Sequence, residues 1–258
     1  MDRYTFVKQK KTQIVDVLQT SKNMCDNCGS CEACDLKRSH KSINILANSD
    51  ETGDLHHKWK LTYFPFKALA EPIRFLLHYC EIQFDDIRIP RSEWDGHKES
   101  MPFGQVPVLE VNGLQMNQSL AICRFLGKHA NLTGANDLED LEIDALADTI
   151  NDLRIKIAQY HYETNSEIKE SRKATLDKET VPFYLNRLDK IAGKNGGHLA
   201  LGKLTWVDIY FVGLLDYMGY MLGKSLTEDC PNLKIVENNV LAIASIKKWI
   251  EERPATDF

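Results

Sequence analysis

Hydrophobic and polar positions change their period several times along the chain. Over Lys60–Tyr63, Leu61 and Tyr63 alternate with polar neighbours, which predicts a short strand. After Pro65 and a brief turn, the apolar residues fall at helical spacing, predicting a helix over Glu71–Cys80 with Pro72 in its first turn. A second strand is expected at Asp85–Ile89 and a short helical stretch around Glu93–Lys98. "VPVLEVNGLQM" reads as a hairpin: Val108–Val111, an Asn112-Gly113 turn, and Leu114–Met116 returning. "QSLAICRFLGKHA" reads as a helix with Ser119 in cap position. The order is βαβαββα.

From Asp137 onward only helical periods occur. Ile143, Leu146, Ile150, Leu153 and Ile157 make one apolar stripe. Thr180 is placed to cap "VPFYLNRLDKIAG", with Pro182 in the first turn and Gly193 closing it. Thr205 and Asp208 form a variant capping box, with Leu204 and Ile209 placed as a staple, ahead of a nearly unbroken apolar run. That pair reads as a folding signal and not as catalytic machinery. The fold class expected is α+β: residues 1–57 a flexible extension with a short helix near Thr12–Leu18, 58–133 a mixed domain, and 137–258 an all-helical domain.

Composition narrows the function classes. The chain has 258 residues, 43% hydrophobic and 27% charged, with no apolar run long enough to span a bilayer. A formal net charge of -5 argues against a nucleic-acid partner, which needs clustered Lys and Arg. No secretory signal is read in the first twenty or so residues. The 7 cysteines, odd in number and unevenly spread, point to a reducing, cytoplasmic setting and not to a disulfide framework.

Six segments in fixed order carry a family likeness: "KLTYFPFKALAEPIRFLL", "SEWDGHK", "MPFGQVPVLEVNG", "NQSLAICRFL", "DTINDLRIKI" and "HLALGKLTWVDIYF". Together they resemble the glutathione S-transferases, in particular the sigma class of invertebrate type, from about Trp59 to Phe258. The resemblance implies a thioredoxin-like N-terminal domain, an all-α C-terminal domain, a homodimer, and glutathione as co-substrate with no other cofactor.

The chemistry such an enzyme needs is a thiolate. A thiol of pKa about 8.5 is only a few per cent ionised near neutrality, and lowering that pKa by about two units takes roughly 2.7 kcal/mol. A phenolic O–H can donate to the sulfur while keeping its own proton. By residue type alone Tyr63 is a half-buried strand tyrosine; the resemblance makes it the catalytic residue. It also assigns glutathione contacts to Trp94 and Lys98 at the glycyl end, and to Gln105, Val106 and Pro107 at the cysteinyl unit. Backbone pairing at Val106 requires a cis Val106–Pro107 bond. Gln118 and Ser119 fall at the γ-glutamyl end, where a helix N-terminus receives a carboxylate. Asp152 is implied to reach the ligand's ammonium across the dimer. Read without the family, Trp94 is a packing residue, Lys98 a solvated one, and Asp152 a surface carboxylate.

Two departures bear on activity. Where some relatives carry Gly-Arg, this chain has Ala68-Leu69, and where vertebrate prostaglandin D synthases carry aspartate it has Asn151. The first removes a positive charge from the site and weakens a prostaglandin D synthase reading; the second argues against divalent-metal activation at the dimer interface. An aromatic, apolar pocket wall would suit lipid-derived aldehydes such as hydroxyalkenals, though packing explains such residues equally well. Phe64, Phe66, Leu69, Ile155 and Tyr160 are expected to line the electrophile pocket. Prostaglandin isomerase or peroxidase activity, or a low-turnover ligand-binding role, stand as alternatives. "CDNCGSCEAC" spaces Cys25, Cys28, Cys31 and Cys34 three apart, compatible with a metal site or with a reduced thiol tail. Cys80, Cys123 and Cys230 read as buried helix residues.

Overall fold

The computed structural model describes residues 58–256 and 258. The cysteine-rich segment and the helix expected near Thr12–Leu18 lie outside those residues. Residues 56–258 form one compact unit.

The N-terminal half is a four-stranded sheet. β1 (Trp59–Tyr63) pairs parallel with β2 (Phe84–Arg88) and antiparallel with β3 (Val108–Val111), which pairs antiparallel with β4 (Leu114–Asn117), giving the order β2-β1-β3-β4. β1 is central, so Trp59, Leu61, Thr62 and Tyr63 are all buried and the period of two is not a solvent alternation. The hairpin turn has positive φ at both Asn112 (50°) and Gly113 (86°), the geometry that suits the right-handed twist of the two strands. α1 (Glu71–Tyr79), the short α2 (Trp94–His97) and α3 (Ser119–His129) complete this half.

The second half is helical: α4 (Asp137–His161), α5 (Ser166–Thr175), α6 (Val181–Lys194), α7 (Trp206–Leu222), α8 (Pro231–Leu241) and α9 (Ala244–Glu252). The Asn136 side chain caps α4, accepting the N–H groups of Leu138 (3.1 Å) and Glu139 (3.2 Å). The whole α4 stripe from Ile143 to Ile157 is buried. α7 is the core helix. Its start is held by the buried Asp208 carboxylate, which accepts the Thr205 N–H and O–H (both 2.8 Å) and the Leu199 N–H (2.7 Å).

Several expectations are corrected. Thr180 caps nothing: a π-turn over Leu176–Thr180 joins α5 to α6 without a break. A wider turn accommodates Pro182, whose missing N–H would otherwise have opened a gap in the ladder. Gly193 is helical and does not close α6; a Cβ there would lie 3.1 Å from the Asn232 side chain. Of the three described cysteines, only Cys123 is buried within a helix. Cys230 precedes α8, and Cys80 is half-exposed just past α1. Burial pushes all three thiols up, Cys80 to about 11, so none is a poised nucleophile.

The halves are joined by buried charge. Glu71, in α1, accepts from Trp249 Nε1 (2.8 Å), from Arg253 (2.8 Å) and from Arg74 (3.1 Å). Arg74, fully buried, also bonds both Asp86 oxygens at 3.1–3.2 Å. Charges this deep persist only when every partner is present.

Candidate active site

Tyr63 ends β1, its backbone locked by register with Arg88 and by a 2.8 Å bond from the Ile89 N–H to its carbonyl. The chain then turns through Phe64–Lys67, and Arg74 donates to the Phe66 carbonyl (2.8 Å), holding the turn from below. Ala68 takes φ 36°, a strained value for a residue with a Cβ.

Burial pushes the Tyr63 hydroxyl up to about 12. A backbone hydrogen bond from Leu69 pulls weakly the other way. Such a hydroxyl stays protonated through the neutral range and so keeps a proton to donate.

Around Tyr63 runs a band of aromatic rings. Phe64 lies 5.5 Å from Tyr63, centroid to centroid, and meets Trp94 edge-on at 5.2 Å. On the other side Phe66 stacks on Phe258 at 4.9 Å, and Phe258 stacks in turn on Tyr220 (4.4 Å) and Tyr217 (5.6 Å). Phe258 is tied to the Tyr63 turn, since its carbonyl accepts the Lys67 N–H (2.8 Å). The hydroxyls of Tyr162 and Tyr217 are 3.1 Å apart.

Glutathione S-transferase family models match both halves: the N-terminal domain at residues 59–128 and the C-terminal domain at 151–253. Glutathione S-transferase S1 of Drosophila melanogaster is 50% identical over 203 residues, covering 79% of this chain and 82% of that one. The chain belongs to the glutathione S-transferase family. Hematopoietic prostaglandin D synthase of Homo sapiens is 34% identical over 199 residues, covering 77% of this chain and 98% of that one. The solved prostaglandin synthase D of Nilaparvata lugens superposes with a TM-score of 0.74 at 45% identity, covering 77% of this chain and 100% of that one. The chain is accordingly a glutathione transferase with a thioredoxin-like N-terminal domain and a helical C-terminal domain.

The remaining candidate residues of this transferase fall as follows. Trp94 is half-buried against Phe64, and Lys98 is exposed one helical turn later. Gln105 is exposed, and the Val106–Pro107 bond is cis. Ser119 is the first residue of α3 and not its cap. The cap position is Gln118, at φ 71°, with no side-chain cap, so the first-turn N–H groups are open to a ligand. Asp152 is exposed on α4 with no partner among the described residues, and Asn151 accepts from Arg154 (2.9 Å).

Ile155 is 37% exposed, and the Tyr160 ring carries Lys169 Nζ at 5.6 Å instead of facing Phe66. The ring that stacks on Phe66, from Phe258, and the Tyr217 and Tyr220 rings that stack on Phe258 in turn, carry no such expectation from the sequence. The only signal was that α7 carries two tyrosines three positions apart, which puts them on one helical face. Among the described residues there is no group of His, Cys, Asp or Glu side chains able to hold a metal. A separate cleft of about 360 Å³, lined by Phe75, Val212, Leu215, Leu241 and Ile250 with several charged residues, contains none of the candidate residues.

Proposed function

We propose that this transferase is of the sigma class and adds the glutathione thiolate to lipid-peroxidation-derived enals, with Tyr63 as the catalytic residue. The observation that carries the reading is the buried Tyr63 hydroxyl beside an aromatic wall: a donor that cannot ionise near neutrality, next to a surface suited to an acyl chain. The sulfur's electron pair forms the C–S bond at the β-carbon. The C=C pair moves toward the carbonyl oxygen as an enolate, which then takes a proton; the thiol proton has already gone to solvent. Nothing leaves.

Trp94 and Lys98 hold the glycyl end, Gln105, Val106 and Pro107 the cysteinyl backbone, and Gln118 and Ser119 the γ-glutamyl carboxylate. Asp152 binds the ammonium of glutathione in the partner subunit's site. Exposed apolar residues support a homodimer: Phe103 is 88% exposed, Leu138 77% and Leu141 62%, too much apolar surface to leave wet without a partner. The setting is cytoplasmic.

The test compares wild type with Tyr63→Phe on a hydroxyalkenal and on an aryl halide, alongside the ultraviolet absorbance of bound thiolate. The variant is expected to lose about 10- to 100-fold in kcat/KM and to bind glutathione as the thiol, equivalent to one to two pKa units. Equal rates in the two proteins would remove Tyr63 from the mechanism. Glutathione-dependent prostaglandin isomerisation is the second reading, favoured by the 45% identity to the Nilaparvata lugens prostaglandin synthase D. Formation of prostaglandin D from its endoperoxide measures it directly.

A further inference from the structure

The cations around the Tyr63 turn are almost all paired with carboxylates. Lys67 pairs with Asp216 (3.0 Å), Arg88 with Asp86 (2.8 Å), Arg74 with Glu71 and Asp86, and Arg253 with Glu71 and Asp216. Arg91 is the exception. Its guanidinium lies 4.8 Å from the centroid of Phe64 and 5.7 Å from that of Phe66, and it has no carboxylate partner among the described residues. Ring faces position a cation without neutralising it and leave the guanidinium's N–H edge free to donate.

The placement is specific. Phe64 touches Tyr63 and Trp94; Phe66 begins the wall that continues through Phe258 to Tyr217 and Tyr220. Arg91 therefore stands over the seam between the strip read as the glutathione site and the wall read as the electrophile site. It lies close enough to exert an electrostatic pull on the Tyr63 hydroxyl. Pro90 and the 3₁₀ turn Arg91–Glu93 that follows β2 hold its backbone there.

We propose that Arg91 is an anion subsite of the electrophile pocket, selecting amphipathic electrophiles that carry a carboxylate at the end remote from the reactive carbon. The acyl chain lies on the aromatic wall and its carboxylate pairs with the guanidinium. An arginine held on ring faces suits this role, because it meets a carboxylate through two parallel N–H donors. The subsite supplies charge that the Ala68-Leu69 sequence does not. This inference rests on the transferase reading of the Tyr63 site and names the substrate class that site prefers.

The test reads binding, so it does not depend on turnover. S-alkylglutathiones of matched chain length, one set ending in a methyl group and one in a carboxylate, are titrated into wild type, Arg91→Gln and Arg91→Lys by calorimetry. Arg91→Gln is expected to weaken the carboxylate set about fivefold and leave the methyl set within about twofold, the size of a part-exposed ion pair. Arg91→Lys is expected to fall between, and added salt to erode the wild-type preference. Unchanged carboxylate binding in Arg91→Gln, with the methyl set still bound, overturns the subsite and leaves the transferase reading intact. So does an equal loss for both sets, or a loss seen with glutathione alone. Failure of wild type to bind either set overturns both readings together.

Discussion

The Tyr162 hydroxyl lies 3.1 Å from that of Tyr217, joining the end of α4 to the middle of α7. Tyr217 is buried while Tyr162 is 54% exposed, so the pair presents one wet and one dry phenol. Each also interacts electrostatically with Tyr63. Tyr162→Phe leaves the Tyr217 hydroxyl without this partner and removes an exposed donor beside the proposed electrophile wall. The KM for an enal is expected to rise about fivefold, one hydrogen bond's worth, with glutathione affinity unchanged. Steady-state kinetics varying each substrate in turn checks it.

The pH profile follows from Tyr63. Its hydroxyl is pushed up to about 12 by burial, so its neutral form is the one favoured across the working range. The rate should climb with pH through a single ionisation, that of the bound thiol, and then stay flat until the phenol titrates. A second, descending limb between about pH 8 and about pH 10 in kcat/KM would place the Tyr63 ionisation far lower than its burial implies.

Acid sensitivity should arise at His78. Its ring stacks on Trp249 at 4.6 Å and meets Phe84 edge-on, with Nε2 buried and unpartnered. Burial holds its pKa below the usual value, against the pull of Glu71 and Asp86. Above about pH 6.5 the ring is neutral in both folded and unfolded chains and contributes no pH dependence. As pH falls below that, the unfolded chain takes the proton first and stability is lost. Urea midpoints at about pH 7 and about pH 5 should therefore differ more in wild type than in His78→Leu.

Gly213 marks the closest approach of α7 to α1. A Cβ built there would sit 2.7 Å from the Pro72 Cα and 2.8 Å from its nitrogen, backbone atoms with nowhere to go. Gly213→Ala should cost about 1–3 kcal/mol by overpacking, although alanine favours helix. Thermal unfolding measures the loss. A gain in stability would mean the two helices part more easily than their packing suggests.

Much of this was legible in the chain. The strand that ends at Tyr63, the Asn112-Gly113 hairpin, the α4 stripe and the Asp208 cap were all read from local rules, because each depends on residues within a few positions of one another. What escaped depended on distance in sequence or on compensation. Phe258 reaches Phe66 from the far end of the chain, and no periodicity connects them. Thr180 looked like a cap because Pro182 normally starts a helix, and nothing in the pattern announces a π-turn. Ala68-Leu69 suggested a site poorer in positive charge, whereas Arg91 brings a cation in from a different loop. Glu71 and Arg74 look like surface residues of an ordinary helix until Trp249 and Arg253 fold over them.

That last arrangement limits how such proteins can be recombined. A chimera joining the first 130 or so residues of this chain to a distant relative's helical half would have to import an indole donor and a guanidinium at the places of Trp249 and Arg253. Lacking them, the Glu71 carboxylate keeps Arg74 but loses both donors to its other oxygen in the dry seam, and breaking buried partnerships of this kind costs up to about 3–5 kcal/mol, a large share of a typical fold's margin. Grafting boundaries drawn along the family's two modules would cut through a single electrostatic unit.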